Sequence, residues 1–547
     1  MGNVNFNINN NITFHRRHYY FMYDLLIKNG YIIDGTGTPW YRSDIAITGS
    51  KIADIGDLDK DEAKDIIDAK GAVISPGFID VHTHSDITLL VNGLAESKVR
   101  QGVTTEVIGN CGSSPAPITG EAAEQLKKEI KEDYDINLDW SSYKEYLVRL
   151  SQTETSVNVV PLVGHGAIRK AVMGYKNRKP TRKEMEKMKD LLAGAMDAGA
   201  YGFSTGLIYA PSCYAEVDEL IELAYVAAER FGIYTTHMRH EGDHLIDGVR
   251  EAIEIGERSG ISVQISHHKV TTKESWGLVK GSLAMMHTAR ERGVDVTCDV
   301  YPYIATSTGL DSILPSWAHE GGLGEMLPRI RDKKIRRQIM DDLIQHEEPR
   351  GWENLVVSSV NSEGNKDFEG KNIMEISKLL DLNPEEAVLE LIYQERARVG
   401  MVRFAMSEED VKYVMSNDLT MIGSDAGARA NYGPLAKGKP HPRAFGTFPR
   451  VLGKYCRDEG VVSLENAIYK MTGFPAWRLG LDNKGVLKEG MDADITIFDP
   501  QKIKDKATFL NPHRYPVGID KVIVNGELVI DNDEHTGNKP GWVLNKN

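Results

Sequence analysis

Along the middle of the chain, short apolar runs alternate with stretches in which apolar residues return every three or four positions. The runs predict eight strands, at 77–82, 104–108, 157–163, 202–206, 233–238, 263–267, 294–299 and 420–423. Between them, stretches such as 182–198 and 217–231 have the periodicity of amphipathic helices. Eight alternating units are typical of a (β/α)8 barrel of the TIM type, so the predicted fold class is α/β.

Both ends of the chain show a different pattern, in which short β-type runs are separated by turns. Runs at 25–33, 44–52 and 72–75 have counterparts at 484–487, 494–498 and 521–530. The pairs Asn29-Gly30 and Asn525-Gly526 tolerate positive φ, which favours tight hairpin turns. We expect residues 23–75 and 480–547 to pair into one small β-sandwich domain, with residues 76–479 forming the barrel.

Two segments fall outside these patterns. Residues 1–22 are rich in asparagine, then basic and aromatic, and predict a disordered tail. A translation start at Met22 would remove residues 1–21. The segment from about 304 to 415 is too long for one crossover and predicts an insertion that contains the seventh helix. The insertion is either a lid over the barrel mouth or a peripheral addition to the surface.

Composition narrows the classes of partner. The formal net charge of −14 repels phosphate backbones and disfavours nucleic-acid binding. No stretch approaches the roughly 18 apolar residues of a membrane helix. We therefore expect neither a nucleic acid nor a membrane as partner, and the oligomeric state stays open.

The cysteines indicate the compartment. The four cysteines form no CxxC pair, which is typical of proteins of a reducing compartment and predicts a cytoplasmic location.

Metal-capable side chains end several of the predicted strands. His82 and His84 are two positions apart and therefore face the same side of a strand. Cys111, His237 and His267 each follow an apolar run. The carboxyl ends of parallel strands meet at one rim of a barrel, so we expect these side chains to converge. Imidazole and thiolate are zinc ligands, and three protein ligands leave one position for water.

The same residues predict a hydrolytic centre. Cys111, His237 and His267 can supply three ligands to one zinc ion, and the two histidines of the first strand can hold a second, weaker ion beside it. Asp425 ends the last predicted strand and is placed to take a proton from metal-bound water and pass it to a leaving group. Because zinc lowers the pKa of bound water towards about 7 and polarises a carbonyl, hydrolysis is the predicted reaction class.

Several motifs are similar to those of one enzyme family. They lie at 75–86, 107–112, 202–211, 236–239, 265–269, 423–425 and 441–443, and resemble the D-aminoacylase or N-acyl-D-amino-acid deacylase family of the amidohydrolase superfamily. The resemblance implies hydrolysis of an N-acyl-D-amino acid, a small-molecule substrate, to a carboxylate and a free D-amino acid. It also implies that Cys111, His237 and His267 hold the tightly bound zinc, that His82 and His84 form the second position, and that Asp425 is the general acid and base.

The resemblance further implies three ligands for the α-carboxylate of the substrate. The matching positions are Lys269, Tyr301 and Arg443, with Tyr303 as an alternative to Tyr301. Arginine offers a carboxylate a forked, bidentate partner and lysine offers it a point charge. The segment 308–315 contains no cation, which favours a neutral or apolar side chain on the D-amino acid.

Two other functions are compatible with parts of this pattern. The same metal chemistry could act on another linear or cyclic amide, such as a dipeptide with a D residue or a hydantoin-like ring. A non-catalytic barrel scaffold is the third interpretation. Loss of metal ligands would favour the scaffold, but every expected ligand and Asp425 are present.

Overall fold

The structure is a computed structural model and describes residues 23–58, 63–347 and 350–546. The predicted tail at 1–22 lies outside the described residues. The strands are, in chain order, β1 (Tyr23–Ile32), β2 (Tyr41–Thr48), β3 (Lys51–Gly56), β4 (Ala63–Asp68), β5 (Val73–Pro76), β6 (Phe78–Asp80), β7 (Val103–Ile108), β8 (Asn158–Pro161), β9 (Val163–Gly164), β10 (Gly202–Gly206), β11 (Ile233–His237), β12 (Ser262–Ile265), β13 (Val296–Val300), β14 (Ala305–Gly309), β15 (Leu355–Ser359), β16 (Gly400–Phe404), β17 (Thr420–Ile422), β18 (Ile495–Phe498), β19 (Ile519–Val524), β20 (Glu527–Asp531) and β21 (Glu534–His535).

The α-helices are, in chain order, α1 (Thr88–Val91), α2 (Glu96–Val99), α3 (Gly120–Tyr134), α4 (Tyr143–Ser151), α5 (His165–Met173), α6 (Arg182–Asp197), α7 (Val217–Ala228), α8 (Leu245–Ser259), α9 (Leu278–Glu291), α10 (Leu323–Arg331), α11 (Lys333–His346), α12 (Ile373–Leu380), α13 (Pro384–Gln394), α14 (Glu408–Ser416), α15 (Arg443–Arg450), α16 (Leu464–Met471) and α17 (Gly473–Leu479).

A closed ring of parallel strands forms the centre of the molecule. β6, β7 and β8 pair in that order, and β9 to β13 followed by β17 form the second arc. Only Leu162 separates β8 from β9, so the two pieces act as one strand of the ring. A parallel bridge between Thr83 and Ala426 closes the ring from the first strand to the last. The predicted barrel, and with it the predicted fold class, is confirmed.

Helices cover the outside of the ring, and their local sequence explains where they begin. Thr181 caps α6: its hydroxyl accepts a hydrogen bond from the Glu184 amide at 3.3 Å, and the Glu184 carboxylate accepts one from the Thr181 amide at 2.8 Å. This reciprocal capping box satisfies amide groups that have no partner inside the helix. Met188 and Leu192, one helical turn apart, are buried on the inner face.

The two ends of the chain build one nine-stranded sheet. β1 to β5 come from the start of the chain and β18 to β21 from its end. The two halves meet where β5 pairs with β18 in antiparallel register, with Ser75 opposite Thr496. A further antiparallel bridge joins Lys51 to Asp492, so the sheet curls around its own apolar core. The predicted pairing of the termini is thus present, while the exact domain boundaries stay a prediction.

The two Asn-Gly pairs behave differently. Asn525 and Gly526 have φ values of 47° and 83° and connect β19 to β20 as a two-residue hairpin, as predicted. The hairpin prediction at Asn29-Gly30 is wrong. These residues lie inside β1, where the register shifts between Ile27 and Gly30 and Asn29 has a φ of 60°. At Asn29 the positive φ forms a β-bulge within β1. The first part of β1 pairs with β4, and its last two residues pair with β5.

The long segment after β13 forms a unit with its own apolar core. β14, β16 and β15 make a three-stranded antiparallel sheet, and α10 to α13 pack beside it. α14 returns to the ring and packs against α9 and β17, in the place of the seventh barrel helix. Among the described residues, no helix combines the length and apolar character needed to cross a bilayer.

Candidate metal centre and substrate cavity

Four of the predicted site residues meet at the carboxyl end of the ring. Ligand atoms of His82, Cys111, His267 and Asp425 all lie within 4.8 Å of one another, and all four residues are buried. The Cys111 Sγ is 3.2 Å from His82 Nε2 and 3.6 Å from His267 Nε2, and Asp425 Oδ1 is 3.4 Å from His82 Nε2. A thiol with imidazoles and a carboxylate is a donor set that suits zinc.

The two remaining predicted metal ligands adjoin this group. His237 Nδ1 lies 3.0 Å from His267 Nε2, so both nitrogens point at the same small volume. His84 Nε2 lies 3.0 Å from Asp425 Oδ1, and the His84 side chain is 35% exposed. The structure therefore brings all five candidate ligands and Asp425 together, with His84 on the open side of the group.

Three of these side chains stand on unusual backbone. Cys111, His267 and Asp425 have φ values of 51°, 38° and 51°, in the left-handed region that side chains rarely adopt. Each residue follows a barrel strand and turns back over its carboxyl end. Such conformations cost free energy and concentrate at functional sites. Gly112 continues the turn after Cys111, where a Cβ would lie 2.6 Å from the Gly206 amide nitrogen.

Neighbouring charges favour the ionised forms of the thiol and the carboxyl. Burial raises the pKa of Cys111, but His82 and His267 lower it well below its usual range. Burial likewise raises the pKa of Asp425, but the Arg443 guanidinium and the same two histidines lower it well below its ordinary value. The thiolate is the form that binds a metal ion, so the surroundings prepare Cys111 as a ligand.

Two carboxylates, missed by the sequence analysis as site residues, hold the histidines in place: Asp299 is buried and Glu241 is partly buried. Glu241 Oε1 lies 3.0 Å from His267 Nδ1 and accepts a hydrogen bond from Lys269 at 2.6 Å. Asp299 Oδ1 lies 3.3 Å from His82 Nδ1, and the Asp299 carboxylate also accepts hydrogen bonds from the His267 amide and from Gln264, both at 2.8 Å. Carboxylates of this kind fix the ring orientation and tautomer of a metal-binding histidine.

The sequence contained a usable signal for both carboxylates. Asp299 ends the seventh predicted strand, in the same position that the metal-capable residues take on other strands. Glu241 lies four residues after His237, with its Oε2 3.5 Å from His237 Nε2. Burial raises the pKa of the Glu241 carboxyl, but His237 and Lys269 lower it overall, so the side chain is an anion.

The three candidate carboxylate ligands lie beside the candidate metal ligands. Lys269 Nζ is 2.8 Å from His267 Nδ1, and Arg443 Nη1 is 2.7 Å from Asp425 Oδ2. The Arg443 guanidinium stacks on the Tyr301 ring, 4.7 Å from its centre. Tyr301 lines the cavity, whereas the Tyr303 hydroxyl donates to the Pro442 carbonyl at 3.4 Å, which favours Tyr301 of the two.

A cavity of about 880 Å³, here called the main cavity, opens over these groups. The insertion forms one of its walls through Ser307, Ser312, Arg350 and Arg403, among others. Arg350 and Arg403 both pair with the Glu347 carboxylate. The part of the insertion that lies over the barrel mouth therefore shapes the space in which a substrate would bind.

Comparison with known proteins places the chain in a family. The amidohydrolase family model matches residues 65–530. A D-aminoacylase from Alcaligenes xylosoxydans xylosoxydans is 36% identical over 522 residues, which cover 95% of this chain and 97% of that protein. The chain belongs to the D-aminoacylase family of amidohydrolases. The family resemblance predicted from the motifs is thereby confirmed.

Two further comparisons agree with this D-aminoacylase-family assignment. An N-acyl-D-glutamate deacylase from the same organism is 36% identical over 525 residues, 96% of each protein. The crystal structure of an N-acyl-D-glutamate deacylase from Bordetella bronchiseptica, in complex with zinc and a phosphonate inhibitor, has a TM-score of 0.82 and 34% identity. The structural match covers 96% of this chain and 100% of the Bordetella bronchiseptica chain. This D-aminoacylase-family chain is thus a metal-dependent amidohydrolase in sequence and in fold.

Proposed function

We propose that this enzyme hydrolyses the amide bond of N-acyl-D-amino acids, giving a carboxylate and a free D-amino acid, with zinc as its metal. One observation carries the proposal: a single cavity contains the buried thiol and imidazoles, a carboxylate, and the cationic and aromatic side chains suited to a carboxylate. The similar proteins bear the names D-aminoacylase and N-acyl-D-glutamate deacylase. The similar crystal structure contains zinc and a phosphonate that mimics the tetrahedral intermediate.

The residues that would hold zinc are divided into two positions. We assign the tight position to Cys111, His237 and His267, and a second, weaker position to His82 and His84. When bound, zinc supplies a Lewis acid that polarises the amide carbonyl and lowers the pKa of water. The thiol and imidazole donors favour zinc over hard cations such as magnesium, which prefer oxygen donors.

Asp425 is assigned to proton transfer. Its Oδ1 faces His84 and His82, at 3.0 and 3.4 Å, and therefore lies on the metal side of the cavity. As a carboxylate it can accept a proton from the attacking water and then donate it to the amide nitrogen that leaves. The low pKa set by Arg443 keeps it ionised at neutral pH before the reaction.

Lys269, Tyr301 and Arg443 are assigned to the α-carboxylate of the substrate. Arg443 can bind both carboxylate oxygens through its forked guanidinium, and the Tyr301 ring beneath it fixes the plane of the fork. Lys269 is anchored by Glu241 and contributes a second positive charge. Holding this carboxylate orients the scissile amide over the metal ligands and sets which face of the α-carbon is presented, which is the basis for preferring D enantiomers.

We also infer a cytoplasmic location. All four cysteines are free thiols, and Cys111 must stay reduced to act as a ligand. Export into an oxidising compartment would expose this thiol to oxidation.

Metal analysis combined with paired substrates tests the proposed function. The purified protein is expected to contain about one zinc per chain and to hydrolyse N-acetyl-D-methionine but not N-acetyl-L-methionine. A chelator should abolish hydrolysis, and added zinc should restore it. Equal rates for the two enantiomers would contradict the assigned orientation of the carboxylate, and full activity without metal would contradict the centre itself.

A further inference from the structure

A second cavity adjoins the metal centre and is not used by the proposed function. It has a volume of about 360 Å³ and is here called the acyl cavity. His84, Ser113, Ser114, Ala167 and Lys170 line both this cavity and the main cavity. Because His84 is a candidate metal ligand, a group bound at the metal centre can reach the acyl cavity directly.

The acyl cavity and the proposed carboxylate ligands lie on different arcs of the barrel rim. Its walls come from the residues after β6 and β7 together with α3, α5 and Tyr175, which follows α5. Lys269, Tyr301 and Arg443 follow β12, β13 and β17, which form a different arc of the ring, with β17 next to β6. An N-acyl amino acid has its α-carboxylate and its acyl group on opposite sides of the amide. When Arg443 holds the carboxylate, the acyl group therefore points towards this second cavity.

The lining of the acyl cavity is mixed: Asp86, Glu129 and Lys170 are charged, and a larger apolar part is suited to hydrocarbon. Its walls carry branched apolar side chains and prolines: Ile87, Pro115, Pro117, Ile118, Leu126 and Ile130. Ile118 and Ile130 are almost fully buried, and Leu126 is half-buried. A cavity needed only for an acetyl group would not require walls of this extent, because an acetyl group has one methyl.

We propose that the acyl cavity binds a medium-length hydrocarbon chain, so that the preferred substrates are N-acyl-D-amino acids with acyl groups of about eight to ten carbons. This inference rests on the proposed function and adds the class of acyl group to it. One water-sized group takes about 30 Å³ of liquid volume, so the cavity of about 360 Å³ accommodates about twelve such groups, enough for a chain of this length. The chain enters past His84 and ends among the side chains of α3.

The acyl-length dependence of kcat/KM tests this proposal with the zinc-loaded, full-length enzyme. The substrates are N-acetyl-, N-butanoyl- and N-octanoyl-D-methionine. Full burial of one methylene is worth about a fourfold change in binding. Because the acyl cavity is open to the main cavity, each methylene is only partly buried, and we take half of that free energy. This corresponds to about a twofold change in binding per methylene. The six methylenes that separate octanoyl from acetyl are then expected to raise kcat/KM about sixtyfold.

Two variants place the effect in this cavity. Leu126→Asp adds a charge to the α3 wall, and Ala171→Phe fills the cavity from α5. Each is expected to lower the ratio of octanoyl to acetyl kcat/KM about tenfold or more. The matched control is Lys128→Asp on the same helix, whose side chain is 73% exposed and faces solvent. The control should keep the wild-type ratio.

The outcomes separate this inference from the proposed function. If N-acetyl-D-methionine is hydrolysed as well as or better than the octanoyl substrate, the acyl cavity is not a hydrocarbon site and only this inference is overturned. An unchanged ratio in both Leu126→Asp and Ala171→Phe also overturns it, because any gain with chain length would then arise elsewhere. If no N-acyl-D-amino acid is hydrolysed, the proposed function fails and the inference fails with it.

Discussion

Replacement of Asp425 by asparagine tests the central step of the proposed chemistry. The amide is close in shape to the carboxylate, and asparagine tolerates the left-handed backbone that this position requires, with its φ of 51°. The substitution therefore removes the negative charge and the proton-accepting capacity with little change in backbone. Cys111, His237 and His267 are untouched, so about one zinc per chain should remain.

The expected loss is in kcat. A positioned general acid and base contributes roughly a 10²- to 10⁴-fold rate enhancement, about 2.7 to 5.4 kcal/mol of activation free energy. KM should not rise, because Arg443 loses the ion pair at 2.7 Å with Asp425 and stays available to the substrate carboxylate. Steady-state hydrolysis of N-acetyl-D-methionine and zinc analysis of the same sample measure both quantities.

The control for this experiment is Asp418→Asn. Asp418 is an exposed carboxylate seven positions earlier in the chain, outside the main cavity. This variant should keep wild-type kcat and zinc content. Wild-type kcat in Asp425→Asn, with zinc retained, would remove the assigned acid and base and leave the reaction without its proton carrier.

Three further substitutions test the other parts of the site. Cys111→Ala should empty the tight metal position, and stoichiometric zinc retained after dialysis would contradict the ligand set. Arg443→Met should raise KM roughly ten- to a hundredfold, because it removes a charged hydrogen bond worth about 1.5 to 3 kcal/mol. Arg443→Lys keeps the positive charge and should raise KM less. An unchanged KM in the methionine variant would exclude Arg443 as a carboxylate ligand. Glu241→Gln should weaken zinc binding about ten- to a hundredfold, because the amide holds the His267 ring less firmly than the carboxylate does. Competition with a chelator measures the zinc affinity. A wild-type zinc affinity in this variant would show that Glu241 does not support the metal centre.

The barrel and its metal-capable rim could be predicted because each signal is short-range. A buried parallel strand is a continuous apolar run, and the residue that ends it lies at the carboxyl edge wherever the strand sits in the ring. His237 is the last residue of β11, and Cys111, His267 and Asp425 lie two or three residues beyond the ends of β7, β12 and β17. No knowledge of long-range contacts was needed to group them.

Other features depend on contacts that the sequence pattern does not encode. Asn29-Gly30 and Asn525-Gly526 are the same dipeptide, but Asn29 lies in a strand that has partners on both sides, and its positive φ forms a bulge in place of a turn. Local preference permits both outcomes, and the neighbouring strands decide between them.

The walls of the two cavities were also beyond the sequence analysis. The prediction of a neutral substrate side chain considered only the segment 308–315, yet Arg350 and Arg403 reach the main cavity from positions much later in the insertion. Both cations share the Glu347 carboxylate, so their effect on side-chain preference depends on that pairing. The neutral preference stays a prediction that N-acetyl-D-glutamate and N-acetyl-D-methionine can compare directly.

The pairing of β5 with β18, which joins the two ends of the chain, has a consequence for synthesis on the ribosome. Ser75 and Thr496, which face each other in this pairing, are 421 residues apart. At about 5 to 20 residues per second, β5 waits roughly 20 to 80 seconds for β18 to be made. Throughout that interval the nascent protein carries an unpaired strand edge, which can pair with another chain. Slow elongation or early termination upstream of residue 495 should therefore promote aggregation of nascent chains even when the barrel itself is complete.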